Sequence, residues 1–319
     1  MPRILLIKTS SLGDVVHNLP VVSDIREHAP NAQIDWVIEE AFAAIPRLHP
    51  AVANVIAVAV RRWRRNMLST DTRREWRAFK NRVREQYYDA VIDTQGLVKS
   101  ALLARAASGK RVGLDWASSR EPLGLFYNQT YAVPWGQHAV TRNRALAGLA
   151  LGYTPSATPH YGITAPAHAL PWLNTTRYAV LLHATSAATK LWPEAHWLGL
   201  AKHLFSKDIS ILLPWGNSGE RTRSERLAAA MQGAIVPPAM ALDELAALFA
   251  RAQCVAGVDT GLTHFAAALG APTVGIYVAT NPAATGIHGC PRALNLGTPG
   301  APPDSAQVIA ALTELLTAT

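Results

Sequence analysis

An alternation of short apolar runs and helical stretches begins at residue 4, breaks off between 152 and 176, and begins again at 178. In the first half the runs at 4–7, 33–38, 55–60, 88–93 and 111–114 read as strands. Helical segments at 15–28, 71–86, 97–107 and 138–151 separate them, and the third run ends in Arg61-Arg62-Trp63-Arg64-Arg65. The second half repeats the rhythm, with strands at 178–183, 209–213, 254–258 and 273–278 and a terminal helix at 305–316. Strands separated by helices predict a parallel, doubly wound sheet. Pro155, Pro159, Pro166 and Pro171 fall in the break, where apolar periodicity is lost, and mark a connection between domains. The fold class expected is therefore α/β with two Rossmann-like domains. The first covers 1–165 and the second 175–319, with the last helix a candidate to pack back on the first. Ligands of open α/β sheets bind outside the carboxyl ends of the strands, here in a cleft between the two sheets.

The 319 residues suffice for two domains, and an apolar fraction of 49% supports full cores. No apolar run approaches the ~20 residues of a membrane-spanning helix, and a lysine-bearing turn follows the first strand where a signal peptide would continue apolar. Cys254 and Cys290 have no partner motif, which points to free thiols and a reducing compartment. Residues 1–170 hold 21 Lys/Arg against 13 Asp/Glu, whereas residues 171–319 hold 9 of each. The excess charge predicts that the first half meets something anionic: a nucleic acid, a phosphorylated substrate or a membrane surface.

Three strand-to-helix turns carry residues suited to chemistry. In Lys8-Thr9-Ser10-Ser11-Leu12-Gly13-Asp14, Gly13 permits an unusual backbone conformation, and Ser10, Ser11 and the backbone N–H groups can face an anion. Asp14 reads either as a helix cap or as a general base pointing into the crevice. In Val258-Asp259-Thr260-Gly261-Leu262-Thr263-His264, Thr260 and Gly261 offer N–H groups to a phosphate, and His264 is either a ligand of the same anion or a buried, hydrogen-bonded histidine. In His183-Ala184-Thr185-Ser186-Ala187-Ala188-Thr189-Lys190, two hydroxyls and a lysine follow a strand; Lys190 reads as a diphosphate ligand or as a solvated loop residue. Glu220 suits ribose hydroxyls or simply the first turn of a helix. The chain has no Gly-x-Gly-x-x-Gly and no Walker A lysine, which disfavours a dehydrogenase or a P-loop enzyme.

From Arg61 to Arg84 there are ten Lys/Arg, with Asp71 and Glu75 the only acids and Trp63, Trp76 and Phe79 interleaved. A solvated helix mixes both signs more evenly. Basic and aromatic residues together suit an anionic amphiphile or a nucleic acid, with Trp63 and Trp76 as interfacial anchors in the first case.

These turns, together with 35–40, Arg61 to Arg65, 93–100, 119–123, 190–193 and 213–216, resemble the heptosyltransferases of lipopolysaccharide inner-core synthesis, glycosyltransferase family 9, in order along nearly the whole chain. The resemblance implies a GT-B fold and inverting transfer of L-glycero-D-manno-heptose from ADP-heptose to 3-deoxy-D-manno-octulosonic acid (Kdo) of Kdo2-lipid A. It implies no cofactor and no metal, and an enzyme peripheral on the cytoplasmic face of the bacterial inner membrane, with the anionic membrane surface as partner and no nucleic acid. In it Asp14 stands for the catalytic base and Lys190 for a phosphate ligand that assists the leaving group. Thr185, Ser186, Lys190, Glu220, Met240, Asp259, Thr260, Gly261 and His264 fall at donor positions. Ser10, Ser11, Gly13, Arg61, Arg62, Arg64 and Arg120 fall on the acceptor side, where arginines suit carboxylates and phosphates. A related enzyme adding a later heptose, and a nucleic-acid-binding protein built on the basic stretch, are the competing readings.

Overall fold

The structure, a computed structural model, describes residues 1–317, so the last two positions of the expected second domain lie outside it. The chain divides into two units, the first Met1–Ile163 and the second beginning at Thr164.

The first unit runs β1 (Arg3–Ile7), α1 (Leu12–Val16), α2 (Leu19–His28), β2 (Gln33–Glu39), α3 (Ala44–Arg47), β3 (Val52–Val58), α4 (Val60–Arg65), α5 (Thr70–Arg84), β4 (Tyr88–Asp93), α6 (Val98–Ala106), β5 (Gly109–Leu114), β6 (Gln129–Tyr131) and α7 (Ala139–Leu151). The second runs β7 (Tyr178–Leu182), α8 (Glu194–Phe205), β8 (Ser210–Leu212), α9 (Ser218–Ala229), β9 (Ala234–Ile235), α10 (Leu242–Arg251), β10 (Cys254–Val258), α11 (Gly261–Ala268), β11 (Thr273–Ile276), α12 (Pro282–Thr285), β12 (Ala293–Leu296) and α13 (Ser305–Thr317).

Each unit holds one six-stranded sheet, ordered β3-β2-β1-β4-β5-β6 and β12-β11-β10-β7-β8-β9. Every strand pair in both is parallel. Counted within its own unit, the second order is the first again. The central strands β1, β4, β7 and β10 are buried almost throughout because helices cover both faces of the sheet. Strand order reverses beside β1 and β4 in the first sheet and beside β7 and β10 in the second. Crossovers leave those strands to opposite faces and open a crevice at their carboxyl ends.

Several elements depart from the sequence reading. Residues 15–28 form two helices interrupted at His17 and Asn18, because Pro20 has no N–H to continue the ladder. Arg61 to Arg65 do not extend a strand but lie in α4, whose first turn is held by the Arg61 N–H donating to Glu39 at 3.1 Å. The short strands β6, β9 and β12 were not visible in the sequence. The apolar face of α13 is spent in the second unit's core, where Val308, Leu312 and Leu315 join Trp192, Trp197 and Val258. In the first unit Arg144 of α7 grips buried Asp24 of α2 through two bonds of 2.7 Å.

Candidate active site

The turn after β1 is clamped from both neighbouring strands. The Trp36 indole of β2 donates to the Lys8 carbonyl at 3.0 Å. From beyond β4, the Gln95 side-chain oxygen accepts the N–H groups of Thr9 and Ser10, each at 3.0 Å. Gln95 is itself set by Asp93, a wholly buried carboxylate that takes the Gln95 and Gly96 N–H groups and the Tyr127 hydroxyl. Burial raises the Asp93 pKa against those bonds. Gly96 turns the chain here with φ +65°, a conformation that glycine adopts without penalty. The corresponding expectation for Gly13 does not hold: it lies inside α1 and has no positive φ.

Asp14 is the third residue of α1, and the helix is capped by Ser11 rather than by Asp14. Asp14 Oδ2 accepts the Ser11 N–H at 2.7 Å and the Ser11 hydroxyl at 2.9 Å. Among the described residues Oδ1 has no partner, so one oxygen builds the turn and the other stays available. The expected cap is thus replaced by the N3 half of a capping box, and Oδ1 is left unengaged at the sheet edge.

Cations surround this turn. Lys99 Nζ donates to Ser10 Oγ at 2.8 Å. Its pKa is lowered by partial burial and by Arg61 and Arg64, against Glu39 and Asp14. Lys8 is buried beneath the turn, with Nζ donating to the Thr94 carbonyl at 2.7 Å; burial lowers its pKa while Asp14 and Asp93 oppose the shift. Arg120 is exposed and acts on Lys8 and on Arg142, whose guanidinium lies 4.1 Å from the Trp135 ring centre. Of the expected acceptor arginines, Arg61 and Arg64 belong to this group. Arg62 does not: it is paired with Glu40 at 3.2 Å and Glu75 at 3.0 Å. Lys99, Lys8, Gln95 and Arg142 had no assigned role in the sequence, although Lys8 stands in the first turn and Gln95 and Lys99 in the 93–100 motif.

The basic stretch is also less free than its composition suggested. Arg74 pairs with Asp71 and Arg82 with Glu85. Trp63 is buried and its indole N–H donates to Glu75 at 2.6 Å, so it is no interfacial anchor.

In the second unit the turns after β7 and β10 are knotted together. Lys190 Nζ lies 2.6 Å from Asp259 Oδ2, Thr280 donates to the same oxygen at 2.7 Å, and His264 Nε2 stands 3.5 Å from Oδ1. Burial alone would raise the Asp259 pKa. The bonds from His264, Lys190 and Thr280 outweigh it and hold the carboxyl far below the ordinary range. Thr185 Oγ1 donates to the Asp259 carbonyl at 3.2 Å. Thr260 caps α11 without a side-chain bond, and Gly261 begins the helix. A Cβ on Gly257 of β10 would stand 2.2 Å from Thr263 Oγ1, so glycine allows α11 to sit tight on its strand and presents its N-terminus at the sheet edge. Such an end carries partial positive charge and favours a phosphate.

Ser186 is exposed in the same loop, and Met240 is half-buried ahead of α10. Glu220 accepts the Gly216 N–H at 2.7 Å across the first turn of α9, which Asn217 caps. Lys190 is thus not a solvated loop lysine, and His264 is buried and bound to the site's carboxylate at once. Thr280, from beyond β11, was not foreseen.

A sequence model described as glycosyltransferase family 9 (heptosyltransferase) matches residues 76–298. The chain is 49% identical to lipopolysaccharide heptosyltransferase 1 of Pseudomonas aeruginosa over 292 residues, 90% of this chain and 81% of that protein. Among solved structures it is similar to Escherichia coli heptosyltransferase WaaC with ADP, with a TM-score of 0.90, 41% identity, and coverage of 98% of this chain and 99% of that one. The same E. coli enzyme with ADP-2-deoxy-2-fluoro heptose gives a TM-score of 0.84 at 40% identity, covering 99% of both chains.

Proposed function

The chain belongs to glycosyltransferase family 9, the heptosyltransferases, and from that premise we propose that it moves heptose from ADP-heptose to Kdo of Kdo2-lipid A by a single inverting displacement. The observation that carries the donor half is the Lys190–Asp259 pair beneath the start of α11. Asp259 fixes the lysine, and the helix end supplies N–H groups. As the bond between the anomeric carbon and ADP breaks, negative charge grows on the diphosphate, and Lys190 with the α11 N-terminus stabilises it. A solved relative carrying an ADP-heptose analogue supports this choice of donor.

On the acceptor side, Asp14 Oδ1 takes the proton of the attacking Kdo hydroxyl, while Ser11 keeps the other oxygen in place. Lys99, Arg61, Arg64 and Arg120 hold the acceptor's carboxylates and phosphates. In this reading protein groups balance the leaving charge, no metal takes part, and transfer proceeds at full rate in a chelator. The placement proposed is peripheral, at the cytoplasmic face of the inner membrane. No helix among the described residues is long and apolar enough to cross a membrane. Attachment then relies on the basic first unit at ~1 kcal/mol per surface Lys/Arg, and salt weakens it.

The deciding experiment is ADP release from ADP-heptose with Kdo2-lipid A, run beside an acceptor that already carries the first heptose. Release with the first and not with the second is the expected result. The reverse pattern assigns the chain to a later heptose.

A further inference from the structure

In the first unit α4, α5 and α6 line a half-open, mainly apolar cavity of about 680 Å³. Its walls include Val60, Trp63, Trp76 and Leu103. The two indoles meet edge to face with centres 6.0 Å apart, and Glu75 holds Trp63 in the wall at its N–H. Around the mouth apolar side chains face solvent: Leu102 is 48% exposed and Met67 69%. An apolar patch left open in this way marks a binding site more often than a packing fault.

Cations stand on the same rim. Arg64, Arg73 and Lys99 line it, and neither arginine has an acidic partner among the described residues. The one carboxylate there, Glu121, is engaged with the Val98 N–H at 2.5 Å. Lys99 also reaches Ser10 in the turn that carries Asp14, so the apolar space and the basic acceptor cluster are continuous. Hydrocarbon inside and cations at the mouth match an anionic amphiphile. A sugar or nucleotide would leave its hydroxyls against indole and leucine, unbonded.

We infer that the cavity between α4, α5 and α6 holds an acyl chain of the anionic lipid acceptor, with the acceptor's charged sugars on the adjoining cations. This rests on the acceptor reading above and adds a lipid-recognising subsite to it. Arg73 then serves substrate capture together with Arg64.

The test measures transfer by the full chain to acylated Kdo2-lipid A in nanodiscs and to its soluble, fully deacylated form. Leu102→Gln keeps the size of an exposed side chain and makes the mouth polar. It should raise KM for the acylated acceptor roughly tenfold or more, because the acyl chain then buries less apolar surface, and leave both kcat and KM for the deacylated one unchanged. Leu125→Gln, at a position 95% exposed and outside the cavity, should change neither. A brominated fatty acid should quench the tryptophan fluorescence of the unaltered protein, and Leu102→Gln should abolish that quenching. The inference is overturned if Leu102→Gln slows both acceptors alike, if Leu125→Gln mimics it, or if the brominated probe quenches nothing. If the unaltered protein transfers heptose to neither acceptor, the acceptor reading itself falls, and that result is distinct from all of these.

Discussion

Lys190 and Asp259, 69 residues apart, meet at 2.6 Å at the carboxyl edge of the second sheet. The pair fixes a flexible cation on a carboxylate that His264 and Thr280 also help to hold ionised. Lys190→Ala should weaken ADP binding roughly 10–100-fold, the scale of one charge-assisted hydrogen bond. Asp259→Asn should weaken it similarly by releasing the lysine, and the double variant should be scarcely worse than either. Calorimetry of the three variants decides this: additive losses would mean that the two residues act independently. The pair also sets an acid limit. A carboxyl whose folded pKa lies below its unfolded value near 3.9 stabilises the fold above that pH and stops doing so as pH falls further. Removing Lys190 lessens the depression and should shift acid unfolding to higher pH.

Asp14→Asn keeps an oxygen for the Ser11 contacts. Stability should drop by about 1 kcal/mol or less, whereas kcat should fall ~10²–10⁴-fold through loss of the base. Paired melting and turnover measurements separate the two roles. Near-normal turnover would reduce Asp14 to its capping contacts.

Arg62 and Arg64 lie two residues apart in α4 but face different neighbours. Because Arg62 is spent on Glu40 and Glu75, Arg62→Ala should leave acceptor KM nearly unchanged. Arg64→Ala should raise it roughly tenfold or more, the scale of a hydrogen bond to a charged group. Equal effects in steady-state assays would refute the distinction.

His49 predicts a slope on the acid side of neutrality. Its Nδ1 accepts the Ala51 N–H at 3.1 Å, so the proton sits on Nε2, which donates to Ser23 Oγ at 2.9 Å. Burial, aided by the Arg26 charge, lowers its pKa to about 4. The unfolded chain, with a histidine pKa near 6.5, binds the proton more readily, so stability should fall as pH drops from about 6.5 to about 4. Buried His183, also lowered to about 4 chiefly by burial, adds to the same trend. Urea unfolding across that range should show a shallower slope in His49→Gln.

Elements long enough to bury a face could be read from the order of residues alone. α10 and β10 were legible to the residue, since ten amphipathic positions and five buried ones leave little alternative. The doubled rhythm and the three polar turns at strand ends were legible too, because a crossover helix forces a parallel sheet and a parallel sheet puts its turns on one edge. Partnership emerged only once the chain was folded. β6, β9 and β12 are two to four residues long at or near sheet edges, and they are strands only because a neighbour supplies their hydrogen bonds. Arg62 and Arg64 look alike in a row of arginines, yet Glu40 and Glu75 claim one of them across 22 and 13 residues. Lys99 joins Ser10 across 89 residues, and Gln95 holds the Asp14 turn across 85. Periodicity reports which face of an element is buried; it is silent on which side chain waits across from it, and that is set only when the sheet brings the strand ends together.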